Sequence, residues 1–144
     1  MRKTRRSLPA ADCLSVDVAD AGNFSSPGFP VSLPAQPVFC EWKMESGANR
    51  RVRLDFHVVD LPAASADGQH PASYLSFGEF NSLGLRVEYR RVFGGARQTA
   101  LRPFTSTAEH GAWLTMLSTG DPARLHRGLL VEVRHLQYGQ LFTV

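Results

Sequence analysis

Two cysteines (Cys13 and Cys40), five histidines (57, 70, 110, 126 and 135) and thirteen acidic residues are the side chains from which a metal site or catalytic centre would be built. Their spacing builds neither. No His-x-x-x-His, His-Glu-x-x-His or Cys/His pairing sets ligands around zinc. His57 and His135 fall inside alternating segments and are read as surface residues of strands. No nucleophile-elbow motif marks a reactive serine, and neither Gly-rich phosphate-binding pattern occurs. "FGGAR", residues 93–97, reads as a turn. No set of residues converges on a reaction, so no enzyme is expected.

What remains is modification and binding. "NFSSPGFP", residues 23–30, contains Asn23-Phe24-Ser25, an acceptor for an N-linked glycan if the chain enters a secretory pathway. Trp42 shares its alternation face with Cys40 and is assigned to the core. Trp113 opens an apolar run; it is assigned to the core, with sugar stacking as the alternative. Arg90, Arg91, Arg97 and Arg102, with Trp113, form the candidate binding surface, suited to an acidic partner or a sulfated glycan. Solvated strand faces explain the same arginines more simply.

Those residues need a scaffold. A chain of 144 residues, 43% hydrophobic and 20% charged, with twelve Gly and nine Pro, suits one domain of short strands joined by turns. Arg2, Lys3, Arg5 and Arg6 supply four of the positives. Without residues 1–6 the net charge is +3 − 4 = −1, which leaves no basic stripe for nucleic acid. Ala21 to Cys40 carries no charge, yet Pro27, Pro30, Pro34 and Pro37 exclude a membrane helix there, and no transmembrane segment is expected. The basic start is not followed by the apolar run of a signal peptide. The chain is therefore expected to be a fragment or mature piece of a longer protein.

Strict alternation predicts the strands. Val52, Leu54, Phe56 and Val58 oppose Arg53, Asp55 and His57; Cys40, Trp42 and Met44 oppose Glu41 and Lys43. Leu85, Val87 and Tyr89 oppose Arg86 and Glu88; Leu129, Val131 and Val133 oppose Glu132 and Arg134. "YLSFGEF" and "AWLTMLS" are two further apolar runs of strand length. Phe93 to Ala96 is expected to turn a hairpin into residues 99–104. Half-buried antiparallel strands without a helical period predict an all-β, jelly-roll-like sandwich.

In order, these pieces resemble a CUB domain, an extracellular β-sandwich module. The resemblance runs from Cys13 through "GNFSSPGFP", "FCEWKM", "VRLDFHVVDL" and "SYLSFGE" to "WLTMLSTGDPARLHRGLLVEV", covering about residues 13–137. It implies a Cys13–Cys40 disulfide pinning a Pro-rich loop, with Phe24 and Phe29 reaching the core. Chain entropy assigns such a crosslink roughly 3–4 kcal/mol. It also implies that Asn23 lies near the surface.

Two departures from the family are visible. His70 stands where a third cysteine is expected, and residues 98–103 offer no fourth. Many CUB domains hold calcium through acids whose positions match Pro62, Ser73 and Gly120 here, with Asp121 one place late. Calcium needs six to eight oxygens including carboxylates, and these residues lack them. Asp60, Asp67 and Asp121 are the remaining weak candidates, and neither calcium nor another cofactor is expected.

The expected organisation is a basic flexible tail (1–12), a CUB-like domain (13–138) and a C-terminal tail (139–144). By resemblance, the domain is a non-catalytic extracellular recognition module of a larger secreted or membrane-anchored protein. Its partner would be another extracellular protein or an adjacent domain. The alternative is a glycan-binding sandwich.

Overall fold

The computed structural model describes residues 13, 16–18, 21–69, 71–95, 101–120 and 124–137. Their regular elements are nine strands: β1 Val16–Val18, β2 Gly22–Ser25, β3 Val38–Met44, β4 Arg50–Asp60, β5 Tyr74–Phe80, β6 Arg86–Phe93, β7 Phe104–Thr105, β8 Ala112–Ser118 and β9 Gly128–Gln137. They form a five-stranded sheet in the order β1-β3-β8-β5-β6 and a four-stranded sheet in the order β2-β9-β4-β7. Every pairing is antiparallel except β1 with β3. The expected all-β sandwich is borne out.

The core lies between the sheets because one side chain in two points inward along each strand. Cys40, Trp42 and Met44 pair with Met116, Leu114 and Ala112, and the next strand adds Leu75 and Phe77. Opposite them stand Leu54, Val131 and Val133, all fully buried. Phe24 enters from β2 and stacks on Trp42 with ring centroids 4.8 Å apart. Phe29 is only half-buried, outside the core, with the Arg127 guanidinium 5.3 Å from its ring centre. The Cys13–Cys40 disulfide is formed.

Three strand readings change. The register of β4 against β9 shifts between Phe56 and Val58, so that Val59 instead of Val58 takes the core position beside Leu129. A β-bulge adds one residue and reverses the alternation beyond it. The hairpin expected from β6 into residues 99–104 is not formed by the described residues, since β6 pairs with β5 and β7 pairs with β4 in the other sheet; Ala96 and residues 99–100 lie outside the described residues. The connection changes sheets because Gly94 is held against the end of β4: a Cβ on it would come within 2.1 Å of the Pro62 carbonyl oxygen. Leu85, Val87 and Tyr89 stay 48–67% exposed although they alternate, because β7 is too short to cover the inner face of β6.

Candidate functional site

At one end of the sandwich four chain segments meet around Ser73, which is completely buried. Its N–H donates to the Pro62 carbonyl at 3.0 Å, and its own carbonyl accepts from Gly94 N–H at 2.8 Å. Thr119 N–H donates to Ser73 Oγ at 2.9 Å. The Thr119 hydroxyl donates to the Pro71 carbonyl at 2.8 Å, which leaves the Ser73 hydroxyl proton for Thr119 Oγ1, 3.2 Å away. Gly120 follows with φ 84°, and a Cβ there would lie 2.2 Å from the Ala35 carbonyl oxygen. Pro62, Ser73 and the 119–120 turn, far apart in sequence, thus share one cluster. They are the positions matched to the calcium-site acids, and they bring no carboxylate to it.

The nearby carboxylates are committed elsewhere. Asp60, at the end of β4, accepts from Arg127 N–H at 2.8 Å and lies 3.1 Å from His126 Nδ1. Burial acts to raise its pKa, but the Arg127 N–H and the His126 hydrogen bond and charge outweigh it, holding the group below its ordinary value. Asp67 accepts from Ser65 Oγ at 2.6 Å and from Gln69 N–H at 2.9 Å, closing a local turn. Asp121 and His70 lie outside the described residues. Among the described residues no three His, Cys, Asp or Glu side chains gather at metal-holding distance. The described donors around Ser73, two hydroxyls and a few carbonyls, bring no carboxylate to balance the charge of a calcium ion.

Arg90 and Arg91 sit exposed on β6, and Arg102 is exposed before β7, while Arg97 lies outside the described residues. Arg91 pairs with Glu88 at 3.1 Å and lies 4.7 Å from the centre of the Tyr74 ring. Trp113 is only 4% exposed, yet it is not between the sheets. Its register partners are Lys43 and Gly78, so it lies on the outer face of the five-stranded sheet. Arg86, itself paired with Glu41, covers the ring at 5.1 Å, and the indole N–H donates to the Glu79 carbonyl at 3.2 Å. Sequence alternation marked this face correctly for Lys43 but could not show that an arginine roofs the neighbouring tryptophan. The ring is not open for stacking on sugar.

Asn23 is exposed on β2 and pairs in register with Glu132. Phe24 points inward, so Asn23 projects from the outer face of the four-stranded sheet. That face carries an ionic ladder missed in the sequence. Asp55 and Glu132 stand directly opposite each other, which repels, and cations bracket them. Arg53 reaches Asp55 at 3.1 Å, Arg134 lies 3.0 Å from Glu132 and 3.7 Å from Asp55, and His57 lies 2.8 Å from Glu132. Hydrogen bonds from Arg134 and then His57 hold the Glu132 pKa below its ordinary value. His135, by contrast, meets the Glu45 carbonyl at 2.9 Å.

Shallow cavities among the described residues include one of about 310 Å³ along Phe56 to Asp60 and one of about 380 Å³ beside Glu79 and His110. In the second, the Glu79 carboxylate accepts from the Thr107 N–H and hydroxyl at 2.9 and 3.0 Å. Neither cavity holds a nucleophile aligned with a base.

The described strands thus form a two-sheet sandwich crosslinked between its leading segment and β3, an architecture that by itself assigns no function. Solved structures specify it further as a CUB-like fold. The CUB1-EGF-CUB2 domains of rat MASP-1 match 85% of this chain with a TM-score of 0.66 and 16% identity. The full extracellular region of zebrafish Gpr126/Adgrg6 matches 87% with a TM-score of 0.62 and 16% identity. The MASP-1 CUB2 domain bound to Ca2+ matches 85% with a TM-score of 0.54 and 18% identity, and this chain covers 98% of it. The chain spans only 42% and 15% of the two multidomain structures. No protein-family model matches the chain, and no curated protein matches it. No helix among the described residues is long and apolar enough to cross a membrane.

Proposed function

We propose that this chain is a non-catalytic extracellular recognition domain of the CUB kind, borne by a larger protein, that contacts its partner without the family's calcium ion. The observation that carries this reading is the Ser73 cluster. It contains Pro62 and Ser73, two of the positions matched to the calcium acids, and joins them to Thr119, next to the third, through hydrogen bonds instead of carboxylates. The likeness to an extracellular region of another protein and the Cys13–Cys40 crosslink support the compartment. The short share of the multidomain structures that the chain spans supports a larger parent, bounded here as a 13–138 domain between two tails.

The test is a binding screen of the secreted, disulfide-bonded chain against extracellular ectodomains, run in calcium and in chelator. Saturable binding to an ectodomain that survives chelation supports the reading. Binding abolished by chelator overturns the calcium-free part. Binding to sulfated glycans alone favours the glycan-binding alternative, for which the covered Trp113 gives no platform.

A further inference from the structure

The strand β6 ends the five-stranded sheet, and among the described residues no strand pairs with its second edge. Natural edge strands are blunted by short length, proline, charged side chains or a bulge, which discourages indiscriminate pairing with another chain. This one runs for eight residues, RVEYRRVF, without proline; it carries four charges and a bulge, so any pairing must fit their order. It also exposes Val87, Tyr89 and Phe93 at 48, 67 and 58%.

A register shift lies between Phe77 and Gly78 in the pairing with β5: Phe77 faces Arg90 and Gly78 faces Glu88, leaving Tyr89 as the extra residue of a bulge. The bulge reverses alternation beyond it. Arg86 and Glu88 before it, and Arg91 and Phe93 after it, therefore lie on the same outer face. The Arg91–Glu88 contact at 3.1 Å agrees with that placement. Val87 and Val92 lie on the inner face, and Tyr89 does too, with its ring 4.8 Å from that of Phe104.

We propose that the free edge of β6 pairs with the same edge of a second copy of this chain, antiparallel about a two-fold axis between Tyr89 and Arg90. This interface goes beyond the recognition reading and does not depend on it. A two-fold pairing matches each residue with one whose number completes a constant sum. With the axis between 89 and 90, Glu88 faces Arg91 of the second copy, and the same contact repeats across the axis. Val87 then faces Val92, Arg86 faces Phe93 and Tyr89 faces Arg90. Glu88 and Arg91 are complementary, the valines meet, and the Tyr89–Arg90 pairs suit cation–π contact.

In an unbulged strand this register is impossible, because residues whose numbers sum to an odd value point to opposite faces. The bulge at Tyr89 is what allows it. A slip of one residue in either strand sets outer side chains against inner ones. A slip of two that brings Arg86 opposite Arg91 sets like charges together. The opposite slip of two, which sets Glu88 against Phe93, loses both Glu88–Arg91 contacts, so the pattern favours one register.

Sedimentation velocity of the full, secreted chain, run from micromolar to millimolar concentration, tests this. A dimer whose fraction rises with concentration is expected. Glu88→Arg and Arg91→Glu each place two like-charge contacts in the interface, and each is expected to weaken dimerisation by at least about tenfold. The double variant Glu88→Arg/Arg91→Glu restores the complementary order and should recover the dimer to within a few-fold. Thermal melting of each variant separates lost pairing from lost folding, and the two single variants check each other if one fails to fold. A wild-type chain that stays monomeric overturns the proposal, as does a dimer indifferent to both reversals. Capture of a different protein by β6 while the chain remains monomeric also overturns it.

Discussion

Thr119 N–H donates to Ser73 Oγ at 2.9 Å across 46 positions of sequence, at a completely buried serine whose N–H, carbonyl and hydroxyl are all engaged. This bond ties the start of β5 to the end of β8. The geometry has consequences for any attempt to restore a metal.

Ser73→Asp places a carboxylate in a dry cluster with one N–H donor and no cation among the contacts described. An uncompensated buried charge is expected to lower stability by about 2–4 kcal/mol. Adding calcium should not recover it, because Pro62 and Gly120 bring no further carboxylate. Urea denaturation with and without calcium checks this, and a calcium-dependent rise in the midpoint would contradict it.

Gly120→Ala is expected to destabilise the fold by at least about 2 kcal/mol, from the left-handed backbone and the contact with the Ala35 carbonyl together. Equilibrium unfolding should show a lowered midpoint. An acid at position 120 would meet the same obstacle, so the loop is shut to a carboxylate at that place. A neutral Gly120→Ala would mean that the turn relaxes freely.

Acid should weaken the protein through Asp60 and Glu132. Both have folded pKa values below their ordinary ones. Their contribution is therefore present above the unfolded values, about 4, and is lost as pH falls through the folded values. The thermal midpoint should fall as the solution is taken from mildly to strongly acidic. Asp60→Asn should reduce stability at neutral pH and flatten part of the acid limb. An unchanged acid limb in that variant would show that the Asp60 contacts to Arg127 and His126 contribute nothing.

Reduction of Cys13–Cys40 should lower stability by roughly 3–4 kcal/mol, which unfolding in the presence and absence of reductant reads directly. In the chain secreted from eukaryotic cells, a glycan is expected on Asn23. Intact mass should shift on enzymatic deglycosylation and should lack that shift in Asn23→Gln. Two free thiols and an unglycosylated mass in a folded product would remove the compartment argument.

The strands were readable because burial imposes a period of two wherever one face meets the core. Cys40, Trp42 and Met44 obey it without exception, as do Leu129, Val131 and Val133. The reading failed where a local insertion broke the count. The β4 bulge moved Val59 into the place expected of Val58, and no residue type announces such a bulge. It failed again at Gly94-Gly95, which looks like a hairpin turn but passes the chain between sheets. The choice there depends on close approach to the Pro62 carbonyl, a contact 32 positions away.

By itself, the sequence determined the all-β class, the core faces of most strands and the absence of carboxylates at Pro62, Ser73 and Gly120, because each depends on local side-chain chemistry and alternation. Only the tertiary structure decided that Pro62, Ser73 and Thr119 meet in one hydrogen-bonded cluster, that Arg86 roofs Trp113, and that no described strand pairs with the second edge of β6. Those outcomes depend on which strands pair and in what register. Pairing is settled by the whole core at once and not by any one segment.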